Sequence, residues 1–148
     1  MPFQHVLVAY DGSEQAQSAL LRAKELVRSI PGSRLTIAHV FHYPNLVVGE
    51  AMIAAPVRME LDELSDSERT LDEAKELATD LPNAATALLQ GDPARALLDY
   101  AEELQADLIV IGSRGLSTLK ELFLGSVSHY VVQHAKVPVL VIKNPDDL

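Results

Sequence analysis

The sequence predicts an α/β protein built on an open five-stranded parallel sheet with helices on both faces. Three observations carry this. Short apolar runs bounded by turn residues alternate with stretches whose apolar residues recur every three or four positions. The runs are apolar almost throughout, as in strands covered on both faces. Their order is β-α-β-α-β-α-β-α-β, the pattern that parallel crossover connections require.

The first run, His5-Val6-Leu7-Val8-Ala9, lies within Phe3 to Tyr10 and is broken by Asp11-Gly12-Ser13. Ala16, Ala19, Leu20, Ala23, Leu26 and Ile30 then recur at helical spacing until Pro31-Gly32. Glu14 stands three residues after Asp11, the arrangement of a capping box that starts at Asp11. Leu35-Thr36-Ile37-Ala38-His39-Val40, within Arg34 to Phe41, is the second strand. His42 to Pro56 reads as an irregular apolar flap. Its Leu46, Val47, Val48, Met52 and Ile53, with Met59, suit core or a dimer surface rather than a second ligand pocket.

Leu61, Leu64, Leu71, Ala74, Leu77 and Leu81 mark the second helix, whose acidic outer face is expected to be solvated. Ala84 to Gln90 is a weaker, alanine-rich strand. Asp92-Pro93 opens the third helix, with an N-cap carboxylate and proline at the first helical position, and Leu97, Tyr100, Ala101 and Leu104 continue it. Asp107-Leu108-Ile109-Val110-Ile111 is the clearest buried strand. After Gly112 to Gly125, Val127, Tyr130 and Val131 share one helical face. Val137-Pro138-Val139-Leu140-Val141-Ile142 is the last strand, placed at an edge by Pro138. Asn144 to Leu148 is a polar tail.

Composition narrows the functions. The 148 residues suit one domain, spanning 1–148. There are 12 basic and 21 acidic residues, a net charge of −9. That argues against nucleic acid and anionic membrane surfaces as partners. The absence of cysteine excludes disulfides, thiol catalysis and cysteine-based metal sites. No apolar run approaches a membrane span, and Met1 to His5 lacks the pattern of a signal peptide, so a cytoplasmic protein is expected without membrane insertion. His39 with His42, and His129 with His134, lack the spacing of a helical metal site and have no third ligand, so no transition metal is expected.

In an open parallel sheet, ligands bind beyond the carboxyl ends of the strands where the winding reverses. With five strands the reversal falls between the first and the fourth. Their ends carry Asp11-Gly12-Ser13 and Gly112-Ser113-Arg114-Gly115. The second junction continues to Gly125-Ser126-Val127-Ser128, giving G-x2-G-x9-G-S. Glycines admit close backbone approach and positive φ. Gly125-Ser126 opens a helix whose first N–H groups suit an anion. Ser126 and Ser128 add hydroxyls, and Arg114 and Lys120 are the nearby cations.

These residues resemble the universal stress protein family along nearly the whole chain. The likeness rests on Ala9-Tyr10-Asp11-Gly12-Ser13, on Ala106 to Gly115, and on Gly125 to Ser128 with Val137 to Ile142. It implies a Rossmann-like fold of the adenine nucleotide alpha hydrolase-like kind, and the glycine motif is that of the family's ATP-binding branch. The resemblance further implies that Ala9, Tyr10 and Asp11 lie by the adenosine and that Val40 lines the adenine pocket. Gly112, Ser113, Arg114 and Gly115 would follow the ribose and phosphates. Gly125, Ser126, Val127 and Ser128 would hold the β- and γ-phosphates, with Mg²⁺ arriving on ATP.

It implies a homodimer through the last strand (Val137, Pro138, Val139, Leu140, Val141 and Ile142), with a higher oligomer as an extension. The function implied is an ATP-binding sensor or regulatory protein, read by a protein partner such as a transporter. ATP is expected to order Leu116 to Leu124 and the flap. A slow ATPase or other nucleotide-using enzyme is the alternative. It lacks the S-G-G-x-D-S, H-x-G-H and Walker signatures and shows no general base, so the chain is expected not to be an enzyme. An interaction module with a vestigial nucleotide site is a further alternative, opposed by the intact motif.

Overall fold

The structure is a computed structural model and describes residues 3–41, 45–48, 51–54, 57–114 and 124–143. Strand β1 (His5–Ala9) is followed by helix α1 (Glu14–Ser29), β2 (Arg34–Phe41), β3 (Asn45–Val48) and β4 (Ala51–Ala54). Then come α2 (Val57–Leu77), β5 (Ala84–Gln90), α3 (Pro93–Leu104), β6 (Leu108–Gly112), α4 (Ser126–His134) and β7 (Val139–Ile142).

The main sheet has the order β5-β2-β1-β6-β7, with every neighbouring pair parallel. Central β1 pairs Val6 with Leu35 on one side and with Leu108 on the other. The winding reverses between β1 and β6, where the sequence places it. The flap expected at 42–56 contains an antiparallel hairpin instead, β3 with β4, matching Leu46 to Ile53 and Val47 to Met52. Positions 42–44, 49–50 and 55–56 lie outside the described residues.

Strand residues alternate between two cores. Val6, Val8, Leu35, Ile37, Leu108 and Val110 pack with α1 and α2. Leu7, Ala38, Ile109 and Ile111 pack with α3 and α4. The acidic outer face of α2 from Asp62 to Glu76 is exposed, as its pattern suggests. Lys24 is a departure. It takes a buried place on α1, donates from Nζ to the Leu77 carbonyl, and lies 2.8 Å from Asp80 Oδ1. Arg28 meets the other Asp80 oxygen, so the pair ties α1 to the end of α2. Burial lowers the Lys24 pKa, and the Arg28 charge adds to it.

Helix ends follow local chemistry, with one correction. Ser13, not Asp11, is the N-cap of α1, and its Oγ accepts from Ala16 N at 3.1 Å. Asp11 instead closes the turn before it, Oδ1 accepting from Ser13 N at 2.9 Å. Gly12 supplies the positive φ, +85°, that this turn needs. Asp92 caps α3 as expected, with Pro93 in its first turn. Strand β7 lies at the edge but starts at Val139. Val137 and Pro138 precede it, since proline has no N–H for a ladder, although the Pro138 carbonyl still accepts from Ile109 N at 3.1 Å. Among the described residues no helix is long and apolar enough to cross a membrane.

At the amino end of the sheet, Asp107 accepts from Gln4 N at 2.7 Å and His5 N at 3.0 Å. His5 is buried, with Nε2 2.8 Å from Thr36 Oγ1. Burial first, and then the Arg34 charge, push its pKa below the ordinary 6.5, while the Leu104 carbonyl and Asp107 oppose them. The unfolded chain therefore takes this proton first. The contribution of His5 to stability is complete above the ordinary value and is lost as the pH falls from there toward the folded pKa. Urea midpoints should fall between about pH 7.5 and about pH 5.5, and His5→Gln should fall less. An equal fall in both proteins would remove His5 as the source.

Candidate functional site

Beyond the carboxyl ends of β1, β2 and β6 lies a cavity of about 250 Å³. The first wall comes from the end of β1. Tyr10 N donates to the Ala38 carbonyl at 2.8 Å, extending the β1–β2 ladder by one residue. The Tyr10 carbonyl lies 2.8 Å from His39 Nδ1, so the ends of β1 and β2 are tied across the crevice. Ala9, Tyr10, Asp11 and Val40 all line the cavity. Burial first, and then the Glu73 side chain, push the Tyr10 phenol up to about 12, so it stays protonated near neutrality.

The second wall follows β6. A Cβ on Gly112 would stand 3.0 Å from Gln15 Cβ and 3.2 Å from both the Gln15 carbonyl carbon and the Arg114 oxygen. Its glycine therefore serves the close approach of α1 to the strand end; it does not supply a positive φ. Gln15 Oε1 accepts from Ser113 Oγ at 3.0 Å and also from Arg114 N. The Ser113 carbonyl accepts from Gly125 N at 2.6 Å and from Ser128 Oγ at 2.8 Å. Residues 113 and 125 are thereby pinned together, which holds the start of α4 beside the end of β6.

Sequence and structure differ in detail here. Ser113 is buried and turned to Gln15, and it is not among the lining residues. Ser128 lines the cavity, but its hydroxyl is spent on the Ser113 and Gly125 carbonyls. It holds the loop's geometry and does not offer the free hydroxyl expected of it. Gly115 and Lys120, with the rest of 115–123, lie outside the described residues. Arg114, Gly112, Gly125, Ser126 and Val127 line the cavity, so it gathers ten of the twelve residues singled out from the sequence.

The N-cap of α4 is Gly125, a residue with no side chain to offer, and the helix starts at Ser126. The first-turn N–H groups of a helix point outward beyond its start, and the helix dipole favours an anion there. Much of the remaining lining is apolar, from Ala38, Val40, Pro93, Leu97 and Ile111. The arrangement suits a ligand with a flat, weakly polar part joined to an anionic part.

Ala16, Ala38, His39, Pro93, Leu97 and Ile111 also line the cavity, and no sequence motif assigns them to a nucleotide site. Ala38 was within reach of the sequence, since it lies two residues before Val40 on the same strand face. Pro93 and Leu97 come from α3, which carries no motif. His39 is hydrogen-bonded to the Tyr10 carbonyl, and His42, the histidine the sequence weighs beside it, lies outside the described residues. His134 Nδ1 lies 3.0 Å from the Tyr130 carbonyl, and the two rings stack with centroids 4.0 Å apart. Among the described residues no group of three histidine, aspartate or glutamate side chains is placed to hold a metal.

Comparison with known proteins adds a family. The sequence profile described as the universal stress protein family matches residues 2–143. A Thermus aquaticus protein named "universal stress protein in QAH/OAS sulfhydrylase 3′ region" is 38% identical over 141 residues, covering 95% of this chain and 99% of that one. The solved universal stress protein UspA from Lactobacillus plantarum superposes with a TM-score of 0.79 at 26% identity, over 96% of this chain and 99% of that one. A solved universal stress protein in complex with cAMP has a TM-score of 0.70 at 30% identity, over 96% of this chain and 98% of that one. On the profile match and on a relative this similar over nearly its whole length, the chain belongs to the universal stress protein family.

Proposed function

We propose that this protein binds ATP in the cavity between β1 and β6 and acts as a nucleotide-dependent regulatory protein of the cytoplasm, without turnover. One observation carries the reading: a largely apolar cavity at the winding reversal includes the N-terminus of α4, whose N-cap is a glycine. The base would enter between Val40 and Leu97, and the phosphates would meet the N–H groups of Ser126 and Val127. The related protein that holds cAMP supports an adenine nucleotide as the ligand class. Asp11 is the one carboxylate among the described lining residues, and its Oδ1 is engaged by Ser13 N. The described donor set thus offers no separate magnesium site, and Mg²⁺ would be held through the ligand's phosphates. Of the described lining side chains that could move a proton, His39 turns its Nδ1 to the Tyr10 carbonyl, Asp11 uses Oδ1 to accept from Ser13 N, and Tyr10 is held protonated.

The test is to denature the purified protein, identify any released nucleotide by chromatography, and titrate the stripped protein with ATP calorimetrically. Released ATP, or one binding event per chain without linear phosphate release, is the expected result. No nucleotide and no binding up to about millimolar ATP would leave an interaction module.

Assembly is part of the same proposal: a homodimer formed through the free edge of β7. Leu140 is 41% exposed there, an apolar residue on an unpaired edge. Leu140→Lys should shift the protein to monomer in sedimentation velocity. A surviving dimer would move the interface elsewhere. Val141 is a poorer test position, because it packs on the core shared with α3 and α4. The partner that reads the nucleotide state, such as a transporter, would be sought by comparing what the ATP-loaded and stripped proteins capture.

A further inference from the structure

A second pocket, of about 370 Å³, opens beside the first. The two share Ser126 and Val127, so the N-terminus of α4 is the wall between them. The rest of the second pocket's lining comes from Asp92, Ala94 and Arg95 at the α3 start and from Tyr130, one turn further along α4. It therefore lies where a chain of phosphates leaving the first cavity past Ser126 would arrive.

We propose that Arg95, steadied by Tyr130, receives the terminal phosphate of the bound nucleotide, so that the site distinguishes a triphosphate from a monophosphate. This rests on the nucleotide reading above and adds a residue that the glycine motif does not contain. Arg95 is exposed, which leaves its guanidinium accessible to a ligand. The neighbouring Tyr130 side chain favours its charged form, with the Asp92 and Asp99 carboxylates adding to this. A guanidinium matches phosphate geometry with two parallel N–H groups, which a lysine cannot do.

Charge makes the position informative. The protein carries a net charge of −9, yet the described linings of the two pockets contain two arginines, Arg114 in the first and Arg95 in the second. Each lines one of the two pockets that meet at Ser126 and Val127, so a polyphosphate passing from one to the other would meet both. Asp92 opposes an anion in the same pocket, although its Oδ2 already accepts from Arg95 N at 3.1 Å. The gain is therefore that of one exposed charge-assisted contact, and it weakens with salt.

The experiment titrates stripped wild type, Arg95→Gln and Tyr130→Phe with ATP, ADP and AMP, at low and at raised sodium chloride. Arg95→Gln should weaken ATP binding about five- to tenfold and change AMP binding less than about twofold. Tyr130→Phe should show a smaller loss of the same kind, and raised salt should narrow the ATP–AMP gap in wild type more than in Arg95→Gln. AMP and ATP weakened alike, or ATP binding indifferent to Arg95 while AMP still binds, would overturn this inference alone. Wild type binding none of the three would overturn the nucleotide reading and this one with it. Melting of the nucleotide-free variants at the wild-type temperature separates lost recognition from lost structure.

Discussion

Gly112→Val should lower stability by about 1–3 kcal/mol and weaken nucleotide binding by roughly an order of magnitude or more. The reason is the approach of α1. A Cβ alone would sit 3.0 Å from Gln15 Cβ and 3.2 Å from its carbonyl carbon. Backbone cannot rotate aside as a side-chain tip can, and valine adds two further methyl groups. The start of α1 must then retreat from β6. Gln15 Oε1 would leave both Ser113 Oγ and Arg114 N, the contacts that shape the loop entrance. Gly112→Ala should show the same direction with a smaller size. Urea unfolding and ATP titration measure both effects. Wild-type stability in Gly112→Val would show that α1 does not need this close approach.

Asp107→Ala should cost about 2–4 kcal/mol while sparing nucleotide affinity in the molecules that remain folded. Its carboxylate receives two backbone N–H groups, Gln4 N at 2.7 Å and His5 N at 3.0 Å. These open the central strand of the sheet, and both donors are left without that acceptor in the variant. Asp107→Asn keeps one carbonyl oxygen and should recover part of the loss. The nucleotide cavity lies at the other end of β1, so the two properties separate. A drop in ATP affinity at unchanged stability would mean that Asp107 acts on the site rather than on the strand.

These two positions illustrate how legible the chain was. Asp107 and Gly112 flank one apolar run; the sequence marks Gly112 as the first glycine of the motif and Asp107 as the first residue of the strand. It does not mark their roles. Asp107 binds the start of β1, about a hundred positions away in sequence, and Gly112 makes room for a helix that starts at Glu14. The serines show the same limit. A serine at a helix start looks like a phosphate donor, but the Ser128 hydroxyl points back to the Ser113 carbonyl. The apolar content of 42–56 is legible, and Gly49-Glu50 between the two runs is a glycine-first dipeptide that suits a two-residue hairpin loop, yet reading the segment as one irregular flap passes over the Leu46–Ile53 pairing.

What the sequence by itself determined was the order of the five main-sheet strands and their helices, the turn at Asp11-Gly12-Ser13 and the cap at Asp92-Pro93. It also placed the glycine motif between β6 and α4. Each of these is written in residues a few positions apart, through side-chain periodicity and local hydrogen bonding. Only the tertiary structure decided which serines turn inward, that Pro93 and Leu97 of α3 complete the apolar slot, and that Arg95 and Tyr130 meet beside Ser126. Those contacts depend on how each helix docks on the twisted sheet. Docking is settled by packing between residues far apart in the chain, which no local pattern records.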